Sequence, residues 1–200
     1  HIGSQITDLT VFRGLCLRVN EIQARLKEQG IILPHVNFGG GLGINYDCPS
    51  CGLIPDFASY FQTFADFFEA QPGQQLHFEL GRSLVGQCGS LVSRVLYVKE
   101  GKHKKFVILD AGMNDLLRPA LYQAFHRIEN LTSIQPYEKY DIVGPICESS
   151  DCFGKDRELP ATRRGDLIVI RSCGAYGEVM ASRYNLRDLP GSFFFRDIEK

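Results

Sequence analysis

No apolar run in this sequence approaches the ~20 residues that a helix needs to cross a bilayer, so a membrane-embedded function is not expected. An excess of charge of one sign is missing too. Lys and Arg total 22 against 23 Asp and Glu, for a formal net charge of −1. That balance removes the electrostatic reason to expect nucleic acid or an anionic membrane surface as a partner. The seven cysteines are an odd set without the dense spacing of a secreted disulfide scaffold, and a reduced, cytoplasmic setting is the expectation. Cys48-Pro49-Ser50-Cys51 has the spacing of a metal knuckle or redox pair, but no second pair accompanies it as a structural zinc site would need. His35, His77, His103 and His126 show no His-and-carboxylate spacing, so metal ligation is not expected of them. Internal repeats and low-complexity segments are also missing.

What is present is ordinary globular material. The 200 residues are 44% hydrophobic and 22% charged, enough for one large or two small cores. The opening His1-Ile2-Gly3-Ser4 lacks the basic, apolar, small-residue order of a secretory signal. It begins directly on what reads as a strand-end motif, and the chain is expected to be an excerpt of something longer.

Leu9, Phe12, Leu15, Cys16, Val19, Ile22 and Leu26 recur at intervals of three or four, predicting a helix over residues 9–29 with Gly30 as its stop. A strand is predicted over residues 31–38. Pro55 and Asp56 then open a second helix with Phe57, Tyr60, Phe61, Phe64 and Phe68 on one face. Gln71-Pro72-Gly73 ends it, and Leu76-His77-Phe78 is the next strand. Residues 1–83 therefore read as βα units of a parallel sheet. From residue 84 to 200 the texture becomes that of an antiparallel β-domain, with strands expected at 91–98, 106–109, 141–143 and 166–170.

Two polar clusters close the short apolar runs of the first part. His35-Val36-Asn37-Phe38 leads into Gly39-Gly40-Gly41-Leu42-Gly43, and Leu76-His77-Phe78 leads into Glu79-Leu80-Gly81-Arg82-Ser83. Consecutive glycines let main-chain N–H groups approach an anion with no Cβ in the way. A carboxylate and a guanidinium at the neighbouring strand end could grip the rest of a flat, phosphorylated ligand. The carboxyl ends of parallel strands are where α/β barrels keep such sites. In the β-rich part, Arg118 suits a carboxylate, Glu148 an ammonium, Cys147 a proton transfer, and Tyr176 an anion or a proton.

The phrases His-Ile-Gly-Ser-Gln, Gly-Gly-Gly-Leu-Gly-Ile, Glu-x-Gly-Arg-Ser, Asp-Ala-Gly-Met-Asn-Asp-Leu-x-Arg-Pro-Ala-Leu-Tyr, Gly-Pro-Ile-Cys-Glu-Ser and Gly-Ala-Tyr-Gly occur in this order. In them the chain resembles the diaminopimelate decarboxylases, pyridoxal-phosphate enzymes of the alanine-racemase and ornithine-decarboxylase fold type, from His1 to about Pro190. The resemblance implies the last βα units of a (β/α)8 barrel over residues 1–83, a C-terminal antiparallel β-barrel or sandwich over 84–200, and a homodimer with shared sites. It implies that His1 stacks on the pyridine ring, with Ser4, Gly39, Gly40, Gly41, Gly81 and the Arg82 backbone around the phosphate. Glu79 would pair with the ring nitrogen. Arg82, Arg118 and Tyr122 would hold substrate carboxylate, Glu148 the distal ammonium, and Tyr176 both cofactor and substrate. Cys147 would reprotonate the α-carbon of meso-diaminopimelate after loss of carbon dioxide, giving L-lysine, with Cys147 and Glu148 reaching across the dimer.

Two departures stand out. Leu80 replaces the usual Pro, a matter of loop stiffness. The Schiff-base lysine of the family lies upstream of His1, and none of Lys27, Lys99, Lys102, Lys104, Lys105, Lys139, Lys155 or Lys200 sits in its motif, so this stretch alone is expected to be inactive. Rival readings are a decarboxylase of ornithine, arginine or carboxynorspermidine, a non-catalytic homologue, or a sugar-phosphate-binding barrel. Taken singly, Glu79 and Arg82 also read as a surface ion pair, Cys147 as a small buried apolar residue, Tyr122 and Phe125 as core aromatics, and Asp110 as a turn cap.

Overall fold

The computed structural model describes residues 1–51 and 55–195. The end of the β-rich part, including Lys200, lies outside the described residues. The chain separates into two compact units, His1–Gly86 and Gln87–Lys200.

In the first unit the predicted periodicity becomes helix α1, Thr10–Glu28. Asp8 accepts from the Thr10 main-chain N–H at 2.9 Å before its first turn. Gly30, at φ +76°, turns the chain at its end. Phe12 and Cys16 are buried as expected, but Ile22 is exposed and Gln23 takes the covered place. Gln23 accepts from Gln74 Nε2, which also donates to the Leu33 carbonyl at 2.8 Å. A satisfied amide thus does the work assigned to an aliphatic side chain.

Strand β1, His35–Asn37, pairs in parallel with β2, Gln75–His77, across helix α2, Phe57–Phe67. Asp56 caps α2 by accepting from the Ser59 N–H at 3.0 Å. β1 is shorter than predicted, because Pro34 has no N–H to give a ladder; its carbonyl accepts from Gln75 N at 2.9 Å. The core between helices and strands is aromatic: Phe12 meets Tyr60 edge-on at 4.9 Å, and Phe64 meets Phe38 at 4.8 Å and Phe78 at 4.9 Å. Phe61 is half exposed. A four-residue helix, α3 (Arg82–Val85), follows β2.

The second unit is one sheet of six strands: β3 (Leu91–Glu100), β4 (Lys105–Leu109), β5 (Ile128–Asn130), β6 (Tyr137–Val143), β7 (Cys152–Pro160) and β8 (Leu167–Ile170). Their order is β5-β8-β3-β4-β6-β7. The antiparallel expectation needs correcting here, because β4 and β6 run parallel, with Val107 beside Ile142. The long crossover between them, holding helix α4 (Arg118–Tyr122) and β5, provides the return path that parallel pairing requires. The sheet is mixed and nearly closed. Asn130 Nδ2 on β5 reaches Thr162 Oγ1 just past β7 at 3.0 Å, and the Arg157 guanidinium of β7 lies 4.0 Å from the centre of the Phe125 ring. Val95, Val107, Leu109, Ile142, Leu159, Ile168 and Ile170 fill the interior.

Candidate active site

In the first unit the two strand-end clusters adjoin. Phe38 N donates to the His77 carbonyl at 3.0 Å and Glu79 N donates to the Gly39 carbonyl at 2.8 Å, which carries the β1–β2 ladder into the glycine loop. Gly39 and Gly41 take φ +70° and +107°, open to glycine without strain. A Cβ on Gly40 would collide with the Glu79 carbonyl oxygen, and one on Gly39 would press on the His1 ring at 3.2 Å. This glycine cradle leaves no room for side chains, because the Glu79 and Gly3 carbonyls and the His1 ring already stand where their Cβ atoms would press.

Glu79 is aimed by Asn37, whose Nδ2 donates to Oε1 at 2.7 Å while its Oδ1 accepts from the Gly39 N–H at 2.7 Å. One amide therefore ties the carboxylate to the glycine cradle. Arg82 is buried at the start of α3 and donates to Tyr46 Oη at 2.5 Å and to Ser4 Oγ at 3.2 Å. The first unit thus gathers His1, Ser4, Gly39, Gly40, Gly41, Glu79, Gly81 and Arg82 around one strand end. Asn37 and Tyr46 were missed in the sequence; Asn37 stands two residues before the glycines, the offset of an Asx turn, and was the available signal. Nearby, Cys48 and Cys51 are joined as a disulfide with Cα atoms 5.5 Å apart.

In the second unit Arg118 is buried and donates to His126 Nε2 at 2.8 Å. Tyr122, Cys147 and Glu148 are exposed, so neither Cys147 nor Tyr122 is a core residue. Tyr176 is 39% exposed, just ahead of helix α5, Gly177–Met180. Tyr184 Oη donates to Glu148 Oε1 at 2.5 Å, and this contact raises the tyrosine pKa above its ordinary value. Asp110 accepts from Ser93 Oγ at 2.6 Å and Arg94 N at 2.8 Å, fixing the start of the loop toward Arg118.

Asp151 is the other unforeseen member. Its buried carboxylate accepts from Met113 N at 2.7 Å and Ile146 N at 2.6 Å. It therefore joins the loop before Arg118 to the loop that bears Cys147 and Glu148. Burial raises its pKa despite those two donors. Among the described residues no three His, Cys, Asp or Glu side chains are placed to hold a metal ion, and no helix is long and apolar enough to cross a membrane.

A carboxylate fixed beside a bare-amide cradle fits a planar ligand with a basic ring nitrogen and a phosphate, and pyridoxal phosphate has both. The family model for the C-terminal sheet domain of the pyridoxal-dependent decarboxylases matches residues 8–174. The chain belongs to that family. Among its relatives, the diaminopimelate decarboxylase of Bacteroides thetaiotaomicron is 61% identical over 96% of this chain and 50% of that protein. That of Neisseria meningitidis serogroup A is 47% identical over 94% of this chain and 45% of its own length. The crystal structure of diaminopimelate decarboxylase from Helicobacter pylori complexed with L-lysine is 41% identical, with a TM-score of 0.84 over 94% of this chain and 46% of that one. The chain spans about half the length of the relatives it matches.

Proposed function

We propose that this chain supplies the carboxyl-terminal half of a pyridoxal-phosphate-dependent meso-diaminopimelate decarboxylase, with residues 1–83 as the last βα units of its barrel and 84–200 as its β-domain. The observation that carries it is the Asn37 bridge between Glu79 and the glycine cradle. It is supported by the names of relatives 44–61% identical to this chain.

Pyridoxal phosphate, when bound, supplies the electron sink for breaking a carbon–carbon bond next to an amine. Glu79 would hold its ring nitrogen in the protonated form, the better sink. With the Gly39 N–H already given to Asn37, Gly39 would shape the loop, the N–H groups of Gly40, Gly41 and Gly81–Arg82, with Ser4, would hold the phosphate, and His1 would lie on the ring face. Arg82, Arg118 and Tyr122 would grip substrate carboxylate, and Glu148 the ammonium at the far end. Tyr176 would touch both cofactor and substrate. As carbon dioxide leaves the D-centre, Cys147 would deliver a proton from Sγ to the α-carbon, releasing L-lysine. The protein would act as a cytoplasmic homodimer in which Cys147 and Glu148 serve the neighbour's site.

The test uses the full-length protein. Glu148→Gln should lower kcat/KM for meso-diaminopimelate on the order of 30-fold or more, the size of a truncated charge pair, while cofactor affinity read by absorbance stays at the wild-type value. Equal losses of turnover and cofactor binding would contradict the role given to Glu148. A substrate panel in which ornithine or arginine is preferred would contradict the substrate.

A further inference from the structure

Arg118 opens α4, and eight residues later the chain returns beneath it. Gln123, at φ +52°, ends the helix in the left-handed region and turns the chain back, bringing the fully buried His126 under the guanidinium. His126 makes two contacts whose chemistry is unambiguous. The Arg118 guanidinium has only donors, so His126 Nε2, 2.8 Å from Nη1, must accept. The Arg171 carbonyl has only an acceptor, so His126 Nδ1, 2.9 Å from it, must carry the proton. Both demands select one state: a neutral ring with its hydrogen on Nδ1.

A neutral partner does something a carboxylate partner would not. It fixes one N–H of the guanidinium in space and leaves the positive charge of Arg118 unneutralised by that contact. The Arg171 carbonyl lies one residue past β8, a strand paired on both sides with β3 and β5, so the orientation of the arginine is referred to the sheet. We propose that His126 is a positioning residue for the reaction: it holds the Arg118 guanidinium in the pose that receives the substrate carboxylate. This rests on the substrate role given to Arg118 above.

The two amide substitutions separate positioning from plain structural support. His126→Gln can place an acceptor where Nε2 stands, keeping the Arg118 contact. His126→Asn can place a donor where Nδ1 stands, keeping the Arg171 contact and abandoning Arg118. Both are made in the full-length protein loaded with pyridoxal phosphate, alongside Arg118→Ala. The expected result is a KM for meso-diaminopimelate raised about tenfold or more in His126→Asn, the scale of one lost charge-assisted hydrogen bond. The Gln variant should stay within about threefold of wild type, and kcat should change less than KM in both. Gln and Asn variants altered to the same extent would overturn the positioning role. So would a wild-type KM in His126→Asn while Arg118→Ala raises it. An unchanged KM in Arg118→Ala would overturn the role of Arg118 itself and this one with it. If His126→Asn does not fold, the nitrogen-15 shifts of the His126 ring in the wild-type protein decide: a proton on Nδ1 is required, and one on Nε2 refutes the arrangement.

Discussion

Single carboxylates in the second unit carry opposite pH signatures. Asp166 accepts from Asn130 Nδ2 and Arg163 N at 3.0 Å each. Burial alone would raise its pKa, yet the donors from Arg163, Asn130 and Thr132 outweigh it and the net shift is downward. A carboxyl whose folded pKa lies below its unfolded value stabilises above the unfolded value, and that contribution is lost as pH falls through the folded one. Asp115 and Asp151 run the other way: burial raises both, so their contribution declines as pH climbs through their folded values. We expect Asp166→Asn to cost about 1–3 kcal/mol near neutrality, the price of a buried network losing a charged acceptor. The melting-temperature gap to wild type should then close on acidification through the carboxylate range. Parallel melting curves at every pH would refute the linkage.

Among the elements, helices α1 and α2 were legible because their apolar residues repeat at helical spacing and Asp56 and Gly30 mark two of their ends. Strand β7 was not. Its sequence CFGKDRELP is polar, contains Gly and ends in Pro, since it lies at the sheet edge and only part of it faces the core. Three-residue β5 is too short to show any period. Where the helices meet, Tyr60 is fully buried against Phe12 and Phe64, yet its hydroxyl has no hydrogen-bond partner among the described residues. Burial pushes the Tyr60 phenol up to about 12. An unpaired buried hydroxyl destabilises the fold by ~1–3 kcal/mol. Tyr60→Phe keeps the ring and removes the orphan, so a gain of about 1 kcal/mol in urea unfolding is expected. A loss of stability would mean that the hydroxyl is satisfied.

For the whole molecule, the cluster of the first unit could be read from the order Gly39–Gly41, Glu79, Arg82, because those residues are close in sequence to the strand ends that hold them. The supports of the candidate residues in the second unit could not. Asp151 reaches Met113 across 38 positions and His126 reaches Arg118 around a left-handed turn, pairings that only the folded sheet creates. The proposed shared-site dimer has its own test. Full-length Arg82→Ala and Cys147→Ala proteins, each inactive, should regain about a quarter of wild-type activity when unfolded and refolded together, because half the random dimers are mixed and each has one intact site. No recovery at any mixing ratio would place both residues in a site built by one subunit. The carboxylate of Asp151 has a wider consequence. With Met113 and Ile146 fastened to the same two oxygens, the stretch before Arg118 cannot drift without dragging the Cys147–Glu148 turn. The two stretches then form one piece, and a shift in either is handed on to the other through a single buried side chain.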